Sequence, residues 1–542
     1  MRKKRLSENT LKLVERLHRP RSFIASLTAD PNEKRILEEI GNSGEPAAIP
    51  FLVSFAIASK SEVAEASARA IERLLAALTP ADYVQFDQYV RLGYANMLSR
   101  WKRWDEFRER DLRRMMKFGD AGVAVMGLAS CHWNGHVREG AVRELGKVRT
   151  GAELPFLLMR VNDWVTPVRY LARLLLGERV RVEYGAHFLK WLPLVVRLRT
   201  MSRWNQADLV EAIQRMIESA EAVAFLRPGC ESTDRTVRSF CFQELLTREE
   251  ERSESLVRRA LADREPLIRL EGVKALGKVS DRARQLELLR QAKRDRFSKV
   301  RAEAMAVYSE HFPEEEEGVV NEGLLDANII VRELAQFLHE KRGGPNLREF
   351  YWERLKIARG EKLCGAIAGL GEKGNAGDSN LIEGYLKHGI PRVRAAALRA
   401  VAKLDFNRHI DELVEGLTDQ SRSVAREARA ALMRKANSAG GERLWRTFSS
   451  CGNARGKRGI LFLIARLTRW ESLGYLLQAL GDADESISAA SGRYIRRLSQ
   501  RWNRSFTKPT AEQVAWLNGI LDTHGLLLSE TELQSYRKLL NV

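Results

Sequence analysis

The chain has 542 residues, 44% of them apolar, which is ample for a continuous core, and 90 Lys/Arg against 71 Asp/Glu give it a net charge of +19. That balance points to a polyanionic or acidic partner, although 67 of the 90 cations are Arg and such a bias can also reflect coding composition. No run reaches the ~18 apolar residues of a membrane span, and the basic start Met1 to Arg5 leads into Leu6-Ser7-Glu8-Asn9 instead of an apolar signal segment. A cytoplasmic protein without membrane contact is expected.

In chain order, residues 1–34 read as a basic N-terminal helical segment, with Arg2 to Arg21 as an arm that orders on binding. From residue 35 to 504 a repeat sets the organisation. Val-Arg pairs stand at Val137-Arg138, Val168-Arg169, Val237-Arg238, Val300-Arg301, Val331-Arg332 and Val393-Arg394, with Ile268-Arg269 as a variant. The interval is ~31 residues or twice that. Lys362, Ala425, Arg458 and Ser488 read as degenerate copies that continue the series. Units this short must bury their apolar faces against their neighbours, so the fold class is all-α, a stacked α-solenoid.

In the unit Glu254 to Val279, Leu256, Val257, Ala260 and Leu261 form one helical stripe, and Ile268, Gly272, Val273, Leu276 and Val279 form another. Asp263 to Pro266 breaks the chain between them. Residues 79–118, with Tyr83, Phe86, Tyr89, Tyr94, Trp101, Trp104 and Phe107, and residues 178–219 depart from the period and read as lengthened units. Pro313 and Glu314 to Glu317 form an acidic entry to a helix. Gly371 to Ser379 reads as a Gly-rich loop, and residues 505–542 form a C-terminal helical cap.

A small residue recurs four positions after the Val/Ile: Ala141, Ala172, Cys241, Gly272, Ala304, Ala335, Ala397 and Ala428. Close approach of neighbouring helices requires it. An Asp precedes the repeated Arg by six residues in Asp163/Arg169, Asp263/Arg269, Asp295/Arg301 and Asp326/Arg332, and the same spacing sets Asp419 before Ala425 and Asp482 before Ser488. A ladder of ion pairs and capping contacts between turns is predicted.

On Asp-x5-Arg, Val-Arg-x2-Ala and Ala275-Leu276-Gly277, the chain resembles the HEAT-repeat family, in particular the short-period HEAT-like repeats of phycobilisome lyases. The resemblance covers roughly residues 35–500 and is strongest over 119–435. It implies a right-handed α-solenoid whose second helices line a concave face, and a scaffold or adaptor more than any single activity.

Five and nine residues after the repeated Arg stand Arg143/Lys147, Lys274/Lys278, Arg399/Lys403 and Arg493/Arg497, with Lys341 and Arg434 as single additions. On the inward face these would form a basic stripe for phosphates or an acidic protein segment. The alternative is that they complement helix C-terminal dipoles. Arg443 to Lys508 holds thirteen Lys/Arg against four acids, and Arg493, Arg496, Arg497, Arg501 and Arg504 cover one broad face. Arg100-Trp101-Lys102-Arg103-Trp104 interleaves cations and aromatics, as single-strand binders do, but reads more naturally as a packed face.

Gly369 to Gly374 matches GxGxxG without a preceding strand, so no nucleotide site is inferred, and it is expected in an inter-repeat turn. Cys131, His132 and His136 lack a fourth ligand at zinc spacing. The five cysteines, Cys131, Cys230, Cys241, Cys364 and Cys451, are scattered without a CxxC and read as buried thiols. No cofactor, metal or catalytic residue is assigned. Asp163-Trp164 is similar to the Asp and Trp of the HEAT-like alkylpurine DNA glycosylases, which keeps a glycosylase- or lyase-type enzyme as the third reading. A protein-binding scaffold stands first and a nucleic-acid binder second.

Overall fold

The computed structural model describes residues 6–18, 31–58, 61–96, 109–201, 203, 206–250, 252–500 and 508–540. Among them are thirty-four α-helices, linked by turns and short 3-10 segments, and no strand. The chain is an all-α solenoid of helix pairs that divides into two compact units, Met1–Ala275 and Leu276–Val542. Among the described residues no helix is long and apolar enough to cross a membrane. Arg2 to Arg5, Arg19 and Arg21 of the arm, the Arg100 to Trp104 run, Phe107, Arg501 and Arg504 lie outside the described residues.

In the first unit the regular pairs are Asp120–Ala129 with Gly135–Leu145, Leu154–Arg160 with Thr166–Gly177, Val223–Gly229 with Arg235–Thr247, and Glu254–Leu261 with Pro266–Leu276. In the second, Arg282–Ala292 precedes Ser298–His311, Glu316–Leu324 precedes Ile329–Lys341, and Leu347–Ile357 precedes Gly360–Lys373. Ser379–Glu383 with Pro391–Leu404, Ile410–Glu415 with Arg422–Met433, Gly441–Ser450 with Ala454–Ile464, and Arg469–Ala479 with Glu485–Gln500 continue the series. Ala511–His524 and Glu530–Leu540 follow.

The small-residue column is fully buried: Ala141, Ala172, Cys241, Ala304, Ala335, Ala397 and Ala428 each show no exposure. A Cβ on Gly272 would meet the Ala260 Cβ at 3.1 Å, so even alanine is tight in that unit. Volume is controlled here because a well-packed interface tolerates little added bulk.

Where the repeat keeps its Arg, that Arg is the fourth residue of its helix, and in Arg138, Arg238, Arg301 and Arg394 the guanidinium joins two turns. Arg301 donates Nε and Nη2 to the Asp326 carboxylate at 2.7 and 2.8 Å, 25 residues ahead, and Nη1 to the Asp295 carbonyl at 2.7 Å, six residues behind. The same geometry holds for Arg138 with Asp163 and the His132 carbonyl, for Arg238 with Asp263 and the Ser232 carbonyl, and for Arg394 with Asp419 and the His388 carbonyl. Each Asp also accepts from the N–H two residues on, for example Val165, Asn328 and Ser421. Six and 25 residues sum to the repeat, so the period is the pitch of this ladder. The Asp six residues before an Arg lends it a carbonyl, while its carboxylate serves the preceding unit.

Two assignments shift by one residue. Lys457, not Arg458, is the fourth residue of Ala454–Ile464, and its Nζ lies 2.5 Å from Asp482. Likewise Leu363, not Lys362, is the fourth residue of Gly360–Lys373, and it is buried. Ile357 occupies the Asp position of that pair, so Arg332 turns instead to Glu372 at 2.6 and 3.1 Å. The GxGxxG run is also corrected: Gly369 and Gly371 lie inside the helix and not in a turn. A Cβ there would strike the Tyr351 ring at 2.1 Å and Ala400 at 2.7 Å, so these glycines serve close helix packing. The stretch Gly371 to Ser379 is therefore helix to Lys373, then a 3-10 turn at Ala376–Asp378.

Residues 79–118 and 178–219 replace the regular ladder with other buried contacts. Tyr83 of Pro80–Asn96 packs edge-on to Phe156 and Trp191 at 5.8 and 4.8 Å. Arg179 is fully buried, donating to Glu153 at 2.6 Å and to the Leu175 and Val148 carbonyls at 2.6 Å, while Tyr184 donates to the same carboxylate at 2.9 Å.

Candidate partner-binding surface

The ten residues of the predicted basic stripe lie on or just past the second helices, and they fall into two classes. Arg143 reaches Glu139 at 2.6 Å and Lys147 reaches Glu144 at 2.7 Å. Lys274 reaches Glu271 at 2.9 Å, Arg399 reaches Glu427 at 2.9 Å, and Lys403 lies 3.8 Å from Glu372. These five cations are partly neutralised by carboxylates on their own or adjacent helices. Lys278, Lys341, Arg434, Arg493 and Arg497 are exposed with no carboxylate within 4 Å among the described residues.

The unpaired class concentrates near the end of the chain. On Ala454–Ile464 and the turn after it, Arg455, Arg458 and Arg466 are exposed without a carboxylate within 4 Å among the described residues; on Glu485–Gln500, Arg493, Arg496 and Arg497 are likewise. Three other cations of this stretch are engaged: Arg443 with Asp411 at 2.7 Å, Arg446 with Glu442 at 2.8 Å, and Lys457 with Asp482. Asp484 is held below the usual carboxylate range chiefly by hydrogen bonds from Ser486, with the Arg458 charge a smaller contributor. Arg466 donates to the Phe462 carbonyl at 2.8 Å and stacks 3.5 Å from that ring's centroid, with Arg429 5.4 Å from the same ring. Comparing only positions five and nine along second helices misses Arg455 and Arg458, which sit in the first helical turn; the arginine excess of residues 443–508 is the signal that covers them.

The remaining candidates resolve into packing. Asp163 is buried between Arg138 and Arg160, accepting from Arg138 at 3.0 and 3.1 Å and from Arg160 at 3.2 Å. Its carboxylate is thus committed to two guanidinium groups, and Trp164 lies 5.3 Å from the Arg138 guanidinium. Cys131 points its thiol at the Gly127 carbonyl, and the His132 ring accepts from the Asn134 N–H, while His136 is exposed. Among the described residues no group of three His, Cys, Asp or Glu is placed to hold a metal. All five cysteines are buried free thiols. Burial pushes Cys230 up to about 11 and Cys241 up to about 12, which leaves both as thiols at neutral pH.

The sequence matches no protein-family model, and it matches no curated protein. Solved structures similar to the chain include a Kap121p mutant, at 12% identity over 96% of this chain with a TM-score of 0.33. The chain spans 64% of that protein. The Kap95:Nup1 complex gives 12% identity over 97% of this chain and 80% of that one, with a TM-score of 0.38. Kap121p bound to Nup53p gives 12% identity over 95% and 63%, with a TM-score of 0.33. At these TM-scores the likeness carries no argument about what this chain binds.

Proposed function

We propose that the chain is a non-enzymatic HEAT-repeat scaffold of the short-period kind that binds an acidic protein partner through its second-helix surface. The Arg-rich face of Ala454–Ile464 and Glu485–Gln500 is the principal contact. The observation that carries this reading is the set of six exposed arginines, Arg455, Arg458, Arg466, Arg493, Arg496 and Arg497, on two neighbouring helix pairs, without a carboxylate within 4 Å among the described residues, while the ladder arginines Arg138, Arg238, Arg301 and Arg394 are each paired with an Asp. A guanidinium that makes no ion pair at home is ready for bidentate carboxylate recognition. Lys278, Lys341 and Arg434 add weaker points, and binding is multivalent because each repeat contributes one or two side chains.

The test is anisotropy of a labelled poly-glutamate peptide with the full chain and with Arg493→Glu/Arg496→Glu/Arg497→Glu. Loss of binding in the variant supports the reading; unchanged binding overturns it. A nucleic acid is the second reading, favoured by the Arg429 and Arg466 guanidinium groups against the Phe462 ring, since exposed guanidinium planes also stack on bases. A labelled single strand bound more tightly than poly-glutamate, with affinity falling linearly in log salt, selects it.

A further inference from the structure

The ladder itself marks a second binding place in the Leu276–Val542 unit. Leu347–Ile357 with Gly360–Lys373 is the one regular pair there whose two ladder positions are both apolar, Ile357 and Leu363, and Ile357 is 64% exposed. Beside this pair the turns enclose an open groove of about 760 Å³. Its walls carry Lys293, Arg294, Arg296, Arg301, Lys362 and Arg392 with Asp295, Glu322, Asp326 and Glu361.

Three of those carboxylates are matched by cations, and Asp295 accepts from the Phe297 N–H at 2.7 Å. Lys293 holds Glu322 at 2.8 Å, Arg301 chelates Asp326, and Arg392 holds Glu361 at 2.9 Å. Arg294 and Lys362 are left exposed with no carboxylate within 4 Å among the described residues. Lys362 stands one residue before the ladder position, on the first turn of its helix, and lines the groove. A groove lined by six cations and four carboxylates has an anion deficit.

We infer that this groove takes an extended acidic segment of a protein partner, with Asp or Glu side chains of the segment set against Lys362 and Arg294. A peptide fits better than a nucleic acid. The carboxylates Asp295, Glu322, Asp326 and Glu361 stand in the same walls as the cations, and they would repel a continuous phosphate backbone while admitting separated side-chain carboxylates. The site does not depend on the Arg-rich face of Glu485–Gln500.

The experiment uses the full chain and a fluorescein-labelled ten-residue Asp/Glu/Gly peptide, coupled to protein lysines by a zero-length carbodiimide, with the coupled lysines located by mass spectrometry. The expected result is coupling at Lys362 that persists in Arg493→Glu/Arg496→Glu/Arg497→Glu. Coupling should be lost in Arg294→Glu/Lys362→Glu, with peptide retention weakened roughly tenfold at this site. Lys362→Arg keeps the charge and should keep peptide binding while removing the coupling. Coupling confined to other lysines, or a labelled ten-nucleotide single strand that displaces the peptide from Lys362 at equal concentration, overturns the inference. Loss of coupling in the Arg493/Arg496/Arg497 variant also overturns it, because the groove would then not act by itself.

Discussion

Two sets of arginines, in two stretches of this chain, are used in opposite ways. Between Gly135 and Asp263, Arg138, Arg160, Arg179 and Arg238 are buried and bound to carboxylates and turn carbonyls. Between Ala454 and Gln500, six arginines stand in solvent without a carboxylate within 4 Å among the described residues. The first set holds consecutive turns in register, and the second is available to a partner. The count of 90 Lys/Arg therefore overstates the cations available to a partner, because the ladder arginines are held in internal pairs.

The sharpest way to break that contrast is to remove a carboxylate from the first stretch. Asp163→Ala leaves two guanidinium groups buried without their shared partner and should lower stability by ~3–5 kcal/mol in urea denaturation, whereas Arg493→Ala should change it by no more than about 0.5 kcal/mol. Equal losses would erase the distinction. The register within the second stretch gives a smaller effect. Lys457→Ala removes the charged partner of the largely buried Asp482 and should cost ~1–3 kcal/mol, while the neighbouring Arg458→Ala should be nearly silent in the same melt.

Acid sharpens the comparison further. Burial works to raise the Asp419 carboxyl, but hydrogen bonds from Arg394 and the Ser421 N–H outweigh it and hold it below its usual value. Its folded-state value is depressed, so the rung's contribution is complete above the ordinary carboxylate range near pH ~4. It is lost as pH falls through the folded value. Wild type and Arg394→Gln should therefore differ most near neutral pH and converge in acid; a constant difference would contradict the assignment. The smallest effect belongs to exposed stripe residues that already have a partner: Arg143→Gln should cost ~0–0.5 kcal/mol, as its pair with Glu139 is an exposed helical one.

The repeat was legible because its period is a physical distance along the chain. The buried Val-x3-small stripe and the Asp-x5-Arg spacing each recur often enough to be read without coordinates. What spacing could not show is which turn a side chain reaches. Asp326 lies six residues before Arg332, yet its carboxylate serves Arg301, and only the stacking of one pair on the next reveals that. Helix starts were the second blind spot. Lys362 and Arg458 fit the interval within one residue, but Gly360 and Ala454 open their helices so that Leu363 and Lys457 fall at the fourth position. The basic stripe was legible as a list and not as chemistry, because Glu139, Glu144, Glu271, Glu372 and Glu427 decide which of its members stay available.

The central claim is that charge available to a partner resides in the unpaired arginines and not in the chain's net charge. Two variants of equal charge change test it: Arg493→Glu/Arg496→Glu/Arg497→Glu, and Arg143→Glu/Lys147→Glu/Lys274→Glu. Both are titrated against labelled poly-glutamate and single-stranded DNA at fixed salt. The account predicts that the first variant loses at least about tenfold in affinity while the second retains most of it. Equal losses would show that binding follows net charge alone, and would contradict it.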